Sequence, residues 1–269
     1  MNKNIYDDIK QKAADLAYSS LNYTEYEDVS NYEVIVRDND LILLGGFNKE
    51  AKCYEYHWAA NTATVLSDHL NRTDSFFLTF IPREWIHNLE SIGLRVRNAW
   101  HDYFMDNLDS VDEHLCSDAN FLAPSECAQA SEITLLCKGQ SRGFTGQTTE
   151  WFHDWLEGPS DIKNRAVLVS RTAENEITGL VCTGTYAHES TKGPIAWIRE
   201  AAVLPSWQNQ GIARRLIMKA LAYQKRNGAK RAFLAVDEEN QYAIHLYTSI
   251  GFHPSEESSQ IDMIKIFVP

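Results

Sequence analysis

Two short blocks in the second half of the chain carry residue types that can do chemistry. The first is Gln208-Asn209-Gln210-Gly211-Ile212-Ala213, set between an apolar run ending at Leu204 and a helix-like run opening at Gly211. A helix start leaves backbone N–H groups unpaired, and the macrodipole adds partial positive charge, so such a loop can seat a phosphate or pyrophosphate. Gly211 and Ala213 let phosphate oxygens approach the backbone, and Arg214 and Arg215 add positive charge. A single glycine at a helix start is equally an ordinary tight turn, and this block alone leaves both readings open. The second block runs from Asn240 to Phe252 and contains Tyr247, which is either a core aromatic of an amphipathic helix or a proton donor.

Candidate bases surround the first block. Strict strand alternation puts Trp197, Arg199, Ala201 and Val203 on one face and Ile198, Glu200, Ala202 and Leu204 on the other. Glu200 is then a carboxylate on an apolar face: a general base, or the partner of an arginine such as Arg199 or Arg231. His188 and Glu189 fall in the loop 187–194, where a substrate could enter or where the loop is simply solvated. Asp237 follows the next strand and is placed to hold a substrate ammonium.

The elements that must position these residues follow from periodicity and breakers. In the first half the pattern predicts a helix over 3–21, strands over 32–36, 41–44 and 52–58, and a helix over 63–70. A buried strand over 76–81, a helix over 83–92 closed by Gly93, and a strand over 94–104 complete it. The acidic stretch 105–120 reads as a linker, giving domains 1–118 and 119–269. The second half predicts helices from Pro124 through Leu136 and over 148–156, and a hairpin of 166–170 with 177–186. A strand over 195–204, a helix over 211–227, a strand over 231–236, a helix over 240–249 and a strand over 263–268 follow. Strands alternating with crossover helices imply an α/β (α+β) fold with a mixed twisted sheet and helices on both faces.

Taken together the blocks resemble the GNAT superfamily of N-acetyltransferases. Gln208, Gly211 and Ala213 fit its Q/R-x-x-G-x-G/A motif. Asn240, Ala243, Leu246, Tyr247, Gly251 and Phe252 fit its N-x-x-A-x-x-L-Y-x-x-x-G-F motif. The resemblance covers about 121–269 and implies acetyl-CoA as cosubstrate. The backbone of Gln208, Asn209, Gln210, Gly211, Ile212 and Ala213, with Arg214, would cradle the pyrophosphate. The strand ending at Val203 would pair with the pantetheine arm, and Asn240 would hydrogen-bond the cofactor. Tyr247 would protonate the departing thiolate, and an oxyanion would meet a backbone N–H. Direct attack needs no covalent intermediate, so no Ser/His or Cys/His nucleophile is expected. The region of Phe144, Trp151 and Trp155 would shape the acceptor pocket, with core packing as the other use of these rings. The base is Glu200 or a water chain.

The first half resembles the second. Ile86-His87-Asn88-Leu89-Glu90-Ser91-Ile92-Gly93-Leu94 aligns without a gap on Ile244 to Phe252, sharing Ile, His, Ser, Ile and Gly. Leu89 replaces Tyr247, and no glycine occurs between Gly46 and Gly93, so the phosphate loop is missing. Two GNAT-like halves with one site, in the second, are expected.

Composition narrows the partners. In 269 residues there are 25 basic and 37 acidic side chains, a net charge of −12, which argues against nucleic acid and anionic membrane surfaces. The acceptor is then expected to be a small-molecule amine, with the protein a monomer or homodimer. Cys53, Cys116, Cys127, Cys137 and Cys182 have no metal-binding spacing, and no metal is expected. The first residues have no apolar run like that of a signal peptide, and a cytoplasmic protein is the expectation. Two other uses of the same features are an aminoacyl-tRNA-dependent transferase, which would be expected to lose the loop and gain a basic face, and a CoA-binding sensor without turnover.

Overall fold

The computed structural model describes residues 1–49, 51–70 and 72–267. By contact the chain forms two units, Met1–Ala99 with the residues from Gln260 onward, and Trp100–Ser259. The sequence puts the division at 118/119 instead. The contact boundary falls inside a continuous strand, where no composition change marks it.

The first unit contains α1 (Lys3–Ala13), β1 (Tyr18–Ser19), α2 (Tyr26–Val29), β2 (Glu33–Arg37), β3 (Leu41–Asn48) and β4 (Cys53–Ala60). It continues with α3 (Ala63–Ser67), β5 (Phe76–Leu78), α4 (Ile86–Ser91) and the beginning of β6 (Arg95–Met105). The helix expected over 3–21 stops at Ala13. Its buried stripe is Tyr6, Ile9 and Ala13, and Ile5 faces solvent. Strands β2, β3 and β4 pair antiparallel, and β4 pairs parallel with β5 across α3.

The second unit contains the end of β6, β7 (Asn120–Phe121), α5 (Cys127–Leu136), α6 (Thr149–Glu157), β8 (Lys163–Arg171), β9 (Ile177–Tyr186) and β10 (Ile195–Val203). Then come α7 (Ile212–Arg226), β11 (Arg231–Asp237), α8 (Gln241–Ile250) and β12 (His253–Pro254). The last strand, β13 (Gln260–Lys265), belongs to the first unit and pairs with β5. A strand expected over 263–268 thus begins earlier, and its Val268 lies outside the described residues. Within the second unit the order is β6-β11-β10-β9-β8-β7. Strands β8, β9 and β10 pair antiparallel, and β10 pairs parallel with β11 across α7.

The two units therefore repeat one plan: three antiparallel strands, a helical crossover, a parallel strand and a short helix. The predicted alignment holds to the hydrogen bond. Leu94 N donates to Leu89 O at 3.1 Å, and Phe252 N donates to Tyr247 O at 3.1 Å. Gly93 and Gly251 each take positive φ, 89° and 117°, closing their helices in the same left-handed turn.

In the second unit α7 and α8 cover one sheet face, with Ile212, Leu216, Ile217 and Leu221 packed among Ala196, Ile198, Ala232 and Leu234. Helices α5 and α6 cover the other, with Ile133, Phe152 and Trp155 on Val167, Leu180 and Cys182. The acidic stretch 105–120 is not a free linker. Its Leu108, Val111 and Cys116 are buried against the α7 side, while Lys225 and Arg226 donate to the carbonyls of Asp109, Val111 and Glu113.

Candidate active site

The two central strands of the second unit part company. Ladder pairing between β10 and β11 is confined to Ile195–Trp197 with Arg231–Phe233. Beyond it, β10 keeps its bonds to β9 as far as Val203, but its other edge is open. Backbone groups along that edge are donors and acceptors without a strand partner, which an extended amide-bearing chain would satisfy. The cause lies at Arg199. Ile198 pairs with Thr183 and Glu200 with Cys182, so β10 carries one extra residue there. Such a bulge bends the strand and raises its twist.

The bulge also overturns the expected faces. Trp197 joins Ala202 and Leu204 on the α5–α6 side, whereas Ile198 joins Ala201 and Val203 on the α7–α8 side. Alternation survives on each side of Arg199 but not through it.

At the open end of the cleft stands the glycine loop. Asn209 and Gly211 take left-handed φ of 60° and 72°. A Cβ at Gly211 would meet nothing closer than Arg215 Nη1 at 3.2 Å, so the space above it is open. Helix α7 begins at Ile212 with no side-chain cap, and the first bond back to its start is Arg215 N to Gly211 O at 3.1 Å. The N–H groups of Ile212, Ala213 and Arg214 have no acceptor among the described residues, as an anion seat requires. Gln208 braces the loop, its Nε2 donating to Val203 O at 3.0 Å and Gln140 Oε1 at 2.7 Å. Arg214 turns to α8, donating to Ser249 Oγ at 2.6 Å, and Arg215 to Gln210 O at 2.9 Å. These cradle residues fit a pyrophosphate-bearing group such as acetyl-CoA.

Glu200 and Tyr247 face the cleft from opposite sides of the sheet. Glu200 is buried, and burial raises its pKa above the usual carboxylate value, opposed by Gln147 and Arg199. Gln147 Nε2 donates to its Oε2 at 2.8 Å. The Gln147 backbone is itself fixed on α5: its N–H donates to Thr134 Oγ1 at 2.8 Å, and its carbonyl accepts from Ser131 Oγ at 2.7 Å. Tyr247 is half-buried, and its hydroxyl has no hydrogen-bond partner among the described residues. Burial, with the Glu200 charge second, pushes its pKa up to about 12.

Other expected residues are placed differently. Asp237 is fully buried: Oδ2 accepts from Arg142 Nε at 3.0 Å and Oδ1 from Glu239 N at 3.0 Å. Its carboxylate is committed to the fold rather than offered to a substrate ammonium. His188 lies past the closed base of the cleft, its Nε2 3.3 Å from Thr185 Oγ1, at the end of β10 opposite the glycine loop. Asn240 caps α8, accepting from Ala243 N at 3.2 Å. Phe144 packs half-buried against the α5–α6 core, in the loop between those helices. That loop holds what the sequence did not single out. Cys137 Sγ and Gln140 tie it to the β10 side at Val203 and Gln208. Arg142 ties it to the β11 side at Asp237 and Glu239. No spacing rule marks Arg142 or Gln147, because their partners lie 95 and 53 residues away. A hollow of about 270 Å³ lined by Met105, Asp106, Asn107, Ser110, Ile250, Gly251 and His253 shares none of these residues.

A parallel strand pair splayed by a bulge thus opens beside an uncapped helix start. Residues 131–252 match the model of the acetyltransferase (GNAT) family, which the second unit resembles. Among curated proteins, the mycothiol acetyltransferase of Thermobifida fusca is 37% identical over 59 residues, 22% of this chain and 18% of that protein. An uncharacterized N-acetyltransferase of Methanocaldococcus jannaschii is 28% identical over 106 residues, 39% of this chain and 46% of that one. The chain thus spans less than half the length of these relatives. The fold is shared with a GCN5-related N-acetyltransferase from Sphaerobacter thermophilus, at TM-score 0.56 and 15% identity, covering 85% of this chain and 77% of that one. It is shared too with a tandem GNAT protein from the clavulanic acid biosynthesis pathway, at TM-score 0.51 and 13% identity, covering 86% and 80%. No helix among the described residues is long and apolar enough to cross a membrane.

Proposed function

We propose that the protein transfers an acetyl group from acetyl-CoA to the primary amine of a small-molecule acceptor by direct attack. The observation that carries this reading is the free β10 edge leading from the unpaired N–H groups of Ile212, Ala213 and Arg214 toward Tyr247 and Glu200. The thioester supplies the activated acetyl carbon. In the transfer the C–N bond forms, the C–S bond breaks, the amine loses a proton and the thiolate gains one.

This chain's residues divide those proton steps. Glu200 accepts the amine proton, directly or through water. Its raised pKa brings it nearer to neutral pH, where a base works best. Tyr247 carries its proton throughout the neutral range and would give it to the leaving thiolate. The dry surroundings that raise the tyrosine pKa also raise the proton affinity of a thiolate formed beside it. Gln147 holds Glu200, and the loop from Cys137 to Gln147 keeps Gln147 in place.

Two measurements test the reading. Calorimetry with acetyl-CoA tests the cradle, and thiol release with an amine panel tests transfer. Saturable binding and amine-dependent release are expected. Tight binding with no release for any amine would overturn the transferase reading, and absence of binding would overturn the cofactor.

A further inference from the structure

Arg199 has no part in the chemistry above, yet it stands beside it. In a regular strand Arg199 and Glu200 would point to opposite faces; the bulge puts both on the α5–α6 side. The Arg199 guanidinium lies 5.9 Å from the ring centre of Trp151 and 5.1 Å from that of Trp197. Its Nη1 is 3.8 Å from Glu200 Oε2, an ion pair too long for a hydrogen bond. That oxygen is already taken by Gln147. Among the described residues the guanidinium makes no hydrogen bond, and the side chain is 32% exposed. A guanidinium offers five donors in a rigid fork that matches a carboxylate, and flanking rings fix its plane in advance. Trp155 extends the aromatic floor, stacked on Trp151 at 5.5 Å and edge-on to Trp197 at 6.1 Å.

We infer that Arg199 reads an anion on the acceptor, which makes the acceptor class an amine bearing a carboxylate on the neighbouring carbon, as in an α-amino acid. This rests on the proposed acetyl transfer at Glu200. The acceptor amine faces Glu200, its carboxylate takes the Arg199 fork, and the indoles cover its apolar part. The short Arg199–Glu200 separation matches an amine and a carboxylate carried on one carbon. With a net charge of −12 the chain does not collect anions by its overall field, so the selectivity is local to Arg199.

Two probes differing only by the carboxylate, N-acetylphenylalanine and N-acetylphenethylamine, are titrated into the full chain while tryptophan fluorescence is followed. The acid is expected to bind about tenfold or more tightly, the worth of a charge-assisted pair. Arg199→Met should bring the acid down to the affinity of the neutral probe and leave acetyl-CoA affinity unchanged, which also shows that the variant is folded. Arg199→Lys should keep part of the preference. In turnover, phenylalanine should exceed its methyl ester and phenethylamine in kcat/KM. Equal affinities for the two probes, binding of neither, or an equal loss for both in Arg199→Met overturns the inference. Preference for the acid in a protein that does not bind acetyl-CoA would sustain the anion site and overturn the acetyl-transfer reading. Acetyl transfer without that preference would do the reverse.

Discussion

Tyr247 keeps its proton to a pH near 12 because its ring is desolvated and a carboxylate lies near, and Leu89 stands at the matching place in the first unit. Tyr247→Phe should lower amine-dependent thiol release by about 10²-fold and leave acetyl-CoA affinity unchanged, which a thiol-reactive dye and calorimetry measure separately. Glu200 makes a different prediction. Its folded pKa is raised, so the stability it contributes is present below the ordinary carboxylate pKa and lost as pH rises through the raised value. Glu200→Gln should therefore gain stability relative to wild type at pH 8 compared with pH 4 in urea titrations, while kcat/KM falls by about 10²-fold. An activity loss without that crossover would make Glu200 an ordinary solvated carboxylate. The burial of Glu200 was legible in the sequence through its apolar neighbours, and the place of Tyr247 in a short helix closed by Gly251 through its spacing. Asp237 misled, because a carboxylate after a strand looks the same whether it faces a substrate or a distant arginine.

At the scale of elements, the two corresponding crossover helices start differently, and the proposed phosphate seat rests on that contrast. In α3 the hydroxyl of Thr62 accepts from Val65 N at 3.4 Å, so the chain satisfies its own helix start. In α7 the equivalent place is Gly211, which has no side chain and leaves the N–H groups open. Gly211→Trp should abolish acetyl-CoA binding, by filling the seat and by forcing a left-handed φ at a cost of about 1–2 kcal/mol. Thr62→Ala should cost about 1 kcal/mol of stability and leave binding intact. The loop joining α5 to α6 is held by Arg142 on the fully buried Asp237. Arg142→Met strands that charge and should destabilise the protein by about 3 kcal/mol, measured by urea unfolding. The helices and strands around the site were legible from their periodicity and glycine stops. The bulge at Arg199 was not, since it follows from how β9 and β10 register on one another, and a strand read alone alternates without interruption.

At the scale of the molecule, each unit closes its sheet with a strand from the other half of the sequence: β13 pairs with β5 in the first, and β6 with β11 in the second. Reading the chain linearly cannot show this, which is why a boundary placed by composition at 118/119 differs from one placed by contact. The repeat itself was legible, in nine residues around Gly93 and Gly251, because the left-handed turn that ends each short helix demands glycine. On the proposed reading, an uncapped start at α7 and a capped one at α3 give one cofactor site per chain. Calorimetric titration of the full chain with acetyl-CoA tests this most directly. One molecule bound per chain, with binding lost in Gly211→Trp and kept in Thr62→Ala, is the predicted result. Two molecules per chain, or undiminished binding in Gly211→Trp, would contradict it.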